Sequence, residues 1–118
     1  MTPEELKART KKFAADTIRF ARSLPGDDAT RVMRKQLVRC ASSVGANYRS
    51  ACLAKSGPDM INKLKTVEEE SDESKYWFEL LVDSDTIPAS AIAVLHKEAD
   101  ELFRIMTASI ATLRKRQK

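Results

Sequence analysis

The chain is predicted to be all-α, an antiparallel up-down-up-down four-helix bundle. Two observations carry this reading. Apolar residues recur three and four apart along four long segments, and strand-like alternation is absent. The segments are separated by short punctuated breaks near 25–27, 56–58 and 85–88, and helices joined by short connections pack antiparallel.

The first segment opens on Thr2-Pro3-Glu4-Glu5: a capping residue, a proline at the first helical position and a glutamate three after the cap. Its apolar seam is Leu6, Thr10, Phe13, Thr17, Phe20 and Leu24, ended by Pro25-Gly26-Asp27. The second runs from near Asp28 to about Ala54 along Met33, Leu37, Cys40, Val44, Asn47 and Ala51. Ser56-Gly57-Pro58-Asp59 stops it and starts the third, which follows Met60, Leu64, Val67, Ser71, Ser74, Phe78 and Leu81. Asp85-Thr86-Ile87-Pro88 breaks the chain again. The fourth segment follows Ile92, Leu95, Ala99, Leu102, Met106, Ser109 and Leu113 to a basic tail, Arg114 to Lys118.

At 118 residues the chain is read as one domain, residues 1–118, large enough for a core without disulfides or metal. No apolar run reaches the ~18–20 residues of a membrane span, and MTPEELKART lacks the apolar segment of a signal peptide. Cys40 and Cys52 share one predicted helix, roughly 18 Å apart at about 1.5 Å per residue, too far for a bridge. Both are expected to be small apolar residues in a reducing cytoplasm.

The net charge of +4 is mild, but its distribution is not. Residues 28–55 carry six cations against Asp28, whereas residues 58–85 carry nine acids against Lys63, Lys65 and Lys75. If helices 2 and 3 turn back near Gly57, Arg31 meets Asp83, Lys35 meets Glu79 and Arg39 comes near Glu73, so that the stripe is neutralised internally. The cations left for a polyanion are then Lys7, Arg9, Lys11, Lys12, Arg19 and Arg22 on helix 1, Arg34 on helix 2, and Arg114, Lys115 and Arg116 in the tail.

Ser43, Asn47, Ser71 and Ser74 make the middle of the bundle small and polar. They are read as a structural seam, since small residues allow close helix approach and a seam asparagine fixes register. The run Glu68 to Glu73 invites comparison with carboxylate-bridged iron bundles. Those need two Glu-x-x-His pairs, and here His96 is the single histidine, with Ala93 three before it. With no phosphate loop, no His/Asp/Ser set and no Cys-x-x-Cys, no catalytic residue, metal or cofactor is expected, and the chain is read as not an enzyme. Apolar residues outside the seams, among them Val38, Tyr48, Tyr76, Trp77, Phe103, Ile105 and Ile110, predict a homo-oligomer.

The pattern Leu37, Arg39, Ala41, Ser43, Val44, Ala46 and Asn47, followed by Lys55, Ser56, Leu64, Glu69, Asp72, Glu73, Ser74, Trp77, Glu79 and Leu81, resembles a bacterial family. Its members are four-helix bundles encoded in intervening sequences of 23S rRNA genes. Asn47-Tyr48-Arg49 matches one branch; the commoner Asn-Ile-Ala-Glu-Gly is absent, so a role tied to that acid and glycine does not transfer. The resemblance implies a ring, typically a homopentamer. It also implies kinship with the accessory variability determinant of diversity-generating retroelements, a basic pentamer that binds nucleic acid and a reverse transcriptase. The functional expectation is a non-enzymatic accessory protein that binds RNA or DNA through an assembled basic surface. The alternative is a protein-interaction module that touches no nucleic acid.

Overall fold

Each of the first three helices begins where the sequence supplies a cap. In a computed structural model describing residues 1–117, α1 (Pro3–Arg22) starts on Thr2, whose hydroxyl accepts the Glu5 amide at 3.1 Å. The second helix, α2 (Asp28–Ala51), starts on Asp27, which accepts both the amide and the hydroxyl of Thr30 at 3.0 and 2.7 Å. The third, α3 (Gly57–Asp83), starts on Ser56, which accepts the Asp59 amide at 3.2 Å. Each such cap satisfies an amide that the first helical turn leaves unpaired, and is worth on the order of 1 kcal/mol. The fourth, α4 (Ala93–Arg116), has no side-chain cap and follows a single 3-10 turn at Ala89–Ala91. Lys118, the end of the predicted basic tail, lies outside the described residues.

Two boundaries need more than composition. Helix α2 stops at Ala51 and not near Ala54, because Leu53 and Ala54 turn their amides to the carbonyls of Ser50 and Ala51 in tighter turns. Helix α3 ends in a Schellman arrangement: the Thr86 amide reaches Leu81 and the Asp85 amide reaches Val82. Asp85 takes the left-handed position there, at φ 60°, where glycine is the usual residue.

Cross-helix contacts set the antiparallel order. Along α3, Glu68 meets Thr107, Lys75 meets Asp100 and Glu79 meets His96, so partner numbers on α4 fall as α3 numbers rise. Between α2 and α3, Ser74 donates to the Cys40 sulfur at 3.3 Å and Arg39 reaches Glu70 and Glu73. Between α1 and α2, Gly45 sits against the backbone of Thr10. Helices α1 and α4 touch least of the neighbouring pairs, so the bundle is more open along that side. The molecule measures 49 × 22 × 20 Å, a rod one helix long and two wide.

Phe13, Leu37, Val44, Leu64, Phe78, Leu81, Leu102 and Met106 fill the core, with Phe20 edge-on to Phe78 at 5.7 Å. Its buried hydroxyls serve as small residues because most bond back into their own helix. Thr10 reaches Leu6, Ser71 reaches Val67 and Ser74 reaches Glu70, each carbonyl at 2.8 Å. Thr17 is the exception, its hydroxyl buried without a partner among the described residues.

Of the predicted seam, Ser71 and Ser74 are buried, while Ser43 and Asn47 are half-buried and bond to each other one turn apart. Tyr48, not Asn47, continues the inward stripe of α2 after Val44. A 3.6-residue helix drifts off a strict alternation of three and four, and here the drift favours the step of four. Asn47 therefore makes no hydrogen bond across the seam among the described residues.

The apolar residues outside the predicted seams divide. Tyr48 and Ile110 belong to the core of the single chain, and Trp77 and Ile105 pack partly against it. Phe103 lies beneath the Lys75 ammonium, 5.0 Å from the ring centre. Val32, Leu53, Tyr76 and Val94 stay exposed, on α2, the turn after it, α3 and α4.

Candidate nucleic-acid interface

Ion pairing divides the cations of α1 by the side of the helix they occupy. Arg9 faces α4, where Glu98 accepts two hydrogen bonds at 2.8 and 2.7 Å and Glu101 a third; these bonds, led by those of Glu98, raise an already high guanidinium pKa. Lys12 and Arg19 share Asp16, whose carboxyl is held below its usual range first by the hydrogen bond from Lys12 and then by that from Arg19. Lys7 reaches Glu4 at 3.3 Å. Lys11 and Arg22 have no ion pair among the described residues, and both are exposed.

Helical spacing places Lys7, Lys11, Ala14, Ile18 and Arg22 along the side of α1 that borders α2. The side of α2 that borders α1 carries Arg31, Arg34, Lys35, Val38, Ser42, Gly45 and Arg49 by the same spacing. Arg34 donates to the carbonyl of Pro25 at 3.0 Å in the α1–α2 turn, which leaves its charge uncompensated. Lys35 and Arg49 make no ion pair among the described residues. One long face of the bundle therefore holds Lys11, Arg22, Arg34, Lys35 and Arg49 without acidic partners among the described residues. At the end that holds both chain termini this face deepens into a groove of about 520 Å³. Ala8, Ala14, Ser42, Gly45 and Ala46 floor it, with Lys7, Lys11, Arg49 and Glu4 at the rim.

The predicted neutralisation of the α2 stripe holds at one position in three. Arg39 pairs with Glu73 and with Glu70 at 3.2 Å, while Gln36 takes its Nε at 3.0 Å. Arg31 turns instead to Asp28, one turn away at 2.9 Å, and not to Asp83. Glu79 is taken by His96 of α4 at 2.7 Å, which leaves Lys35 outside the pairing. Most of the acidic run is occupied from within: Glu68 accepts from Thr107 and Lys65, Glu73 accepts from Trp77 at 2.9 Å, and Asp72 lies 3.9 Å from Lys75. The Thr107 hydrogen bond, followed by that from Lys65, lowers the pKa of Glu68; burial raises that of Glu70.

Arg114, Lys115 and Arg116 are exposed in the last turn of α4, where cations also complement the helix dipole. They stand at the groove's end of the rod, with no acidic residue between Glu101 and the C-terminus. Of the sequence-predicted contact residues, the fold groups Lys7, Lys11, Arg22 and Arg34 on the α1–α2 face. It sets Lys12 and Arg19 against Asp16, with Lys12 on the side towards α4, and places Arg114, Lys115 and Arg116 at the end. Lys35 and Arg49 were missed. Their signal was present in the spacing of Lys35, Ser42 and Arg49, seven apart on one side of α2.

A second groove, about 400 Å³ between α1 and α4, is lined by Phe13, Val94 and Leu95 among Lys12, Asp16, Lys97, Glu98 and Glu101. Its charges are mixed: Lys12 pairs with Asp16, and Glu98 and Glu101 pair with Arg9, so the acids there oppose a polyanion.

No curated protein matches the chain. A crystal structure of a protein of unknown function from the S23 ribosomal protein family of Bacteroides thetaiotaomicron superposes with a TM-score of 0.82 at 30% identity. The match covers 89% of this chain and 97% of that one. Residues 5–108 match the family described as 23S rRNA-intervening sequence protein, and with most of its length inside that match the chain belongs to this family.

Proposed function

We propose that the protein is a non-enzymatic, cytoplasmic accessory factor that assembles as a homopentamer and binds nucleic acid, RNA in the first instance, through its basic surface. One observation carries the reading. Lys11, Arg22, Arg34, Lys35 and Arg49 gather on the α1–α2 face without acidic partners among the described residues, although the same chain pairs ten of its other cations. Cations without acidic partners are available to phosphates, and a polyanion that binds them gains by releasing its condensed counterions. Assembly supports the reading by multiplication, since +4 per chain becomes about +20 over five copies. The exposed Val32, Leu53 and Val94 offer apolar surface for contacts between copies.

Titration of labelled RNA and duplex DNA at several salt concentrations tests the binding. Log affinity falls linearly with log salt, by about 0.9 per phosphate neutralised on B-DNA and about 0.7 on a single strand. Replacing Lys11, Arg49, Arg114 and Arg116 with glutamine weakens binding to all sequences alike and flattens the slope. Failure of RNA and DNA to bind at low salt supports the rival reading, a module that docks a protein partner. Light scattering tests the assembly, because a species of 13.2 kDa at micromolar concentration contradicts it.

A further inference from the structure

We infer that the nucleic acid gripped by the α1–α2 face is double-stranded and is held by its phosphates alone; this rests on the nucleic-acid reading above. The inference comes from where the aromatic rings lie relative to the free cations. Proteins that hold single strands combine a basic groove with aromatic side chains on which successive bases stack, each stack worth about 1–3 kcal/mol. In this chain the two features are on different sides of the molecule.

Phe13, Tyr48 and Phe78 are buried, and Phe20 packs on Phe78. Phe103 lies under Lys75. The remaining two, Tyr76 and Trp77, meet edge to face at 5.0 Å on α3, the acidic helix. Trp77 donates to Glu73, and Asp72 and Glu79 stand one turn to either side of Tyr76. A strand that stacked on Tyr76 would bring its phosphates against those carboxylates. The α1–α2 groove has the opposite character, with a floor of alanine, serine and glycine and nothing for a base to stack on.

Without stacking, only charge discriminates, and charge favours the denser polyanion. A duplex carries one phosphate charge per about 1.7 Å of axis, and each neutralised phosphate releases more counterion from it than from a single strand. Lys11 to Arg22 spans about 16 Å and Arg34 to Arg49 about 22 Å at 1.5 Å per residue. The two rows lie on helices whose axes are roughly 8–10 Å apart. Two rows of cations on adjacent helices offer contacts to the phosphates of both strands of a duplex, and the small floor lets the backbones come close.

The experiment compares full-length protein binding to a 20-base-pair RNA duplex, a DNA duplex of the same sequence, and unstructured 20-mers of uridine and of thymidine, at one low salt concentration. Either duplex is expected to bind at least tenfold more tightly than either single strand, and the two duplexes report whether A-form or B-form is preferred. Lys11→Gln with Arg49→Gln lowers duplex affinity at least fivefold, while Tyr76→Ala leaves it within twofold. Single strands binding as tightly as duplex, or a severalfold loss in Tyr76→Ala, overturns the duplex inference and leaves nucleic-acid binding standing. Absence of binding by all four probes overturns both.

Discussion

Gly45 of α2 lies so close to Thr10 of α1 that a Cβ on it would stand 3.3 Å from the Thr10 carbonyl oxygen. The neighbour is helix backbone, which yields less readily than a side chain. This contact sets the depth of the α1–α2 groove, because Gly45 forms its floor while Lys11, the residue after Thr10, stands at its rim.

Two effects oppose one another at this position. Alanine favours a helix over glycine by about 1 kcal/mol, while the added methyl must push the two helices apart by a few tenths of an ångström. Gly45→Ala is therefore expected to change stability by less than about 1 kcal/mol. Gly45→Leu adds bulk the gap cannot take, and is expected to lower stability by about 1–3 kcal/mol in urea unfolding. A Gly45→Leu protein as stable as the parent would show that α1 and α2 are not in close contact here.

The two cysteines are expected to differ in reactivity. Cys40 is buried in the α2–α3 seam, and burial pushes its thiol up to about 11 even though Ser74 donates to the sulfur. Cys52 is half-buried at the C-cap of α2. A thiol reagent at pH 8 should titrate one cysteine in the native protein and the second only after denaturation. Cys52→Ser should abolish the fast phase; equal rates for both thiols would contradict the packing.

Acid should loosen the α3–α4 contact at Asp100. This carboxyl accepts from Arg104 at 2.8 Å and from Lys75 at 2.9 Å, and those hydrogen bonds, Arg104 first, lower its pKa from the usual 3.8 to about 2. A carboxyl whose folded pKa is depressed stabilises the fold above its unfolded pKa, and that contribution is lost as pH falls through the folded value. The thermal midpoint should fall between about pH 4 and pH 2, and Asp100→Asn should flatten that part of the curve. An unchanged slope would show that Asp100 does not stabilise the fold.

The four helices were legible because their signals are local. Thr2-Pro3 and Ser56-Gly57-Pro58 need only a residue or two of context to start a helix. The end of α2 was less so, since Cys52, Leu53 and Ala54 look as helical as what precedes them; the tightening turns after Ala51 decide it. Register between α2 and α3 was partly readable, and Arg39 does meet Glu73. It failed at Arg31, captured by Asp28 on its own helix, and at Lys35, whose predicted partner Glu79 is taken by His96 from a third helix. A comparison of two helices contains no information about the third. The same blindness left Lys35 and Arg49 out of the basic face, because which cations remain unpaired depends on which helix each one borders.

The central claim, that the α1–α2 face meets the nucleic acid, is tested most directly by lysine protection. The protein is acetylated briefly with and without a saturating RNA duplex, and each lysine is quantified by mass spectrometry. Lys11 and Lys35 are expected to lose at least threefold in reactivity, while Lys65 on the acidic α3 helix and Lys97 on α4 are unchanged. Protection of Lys65 and Lys97 with Lys11 and Lys35 unaffected would contradict the claim.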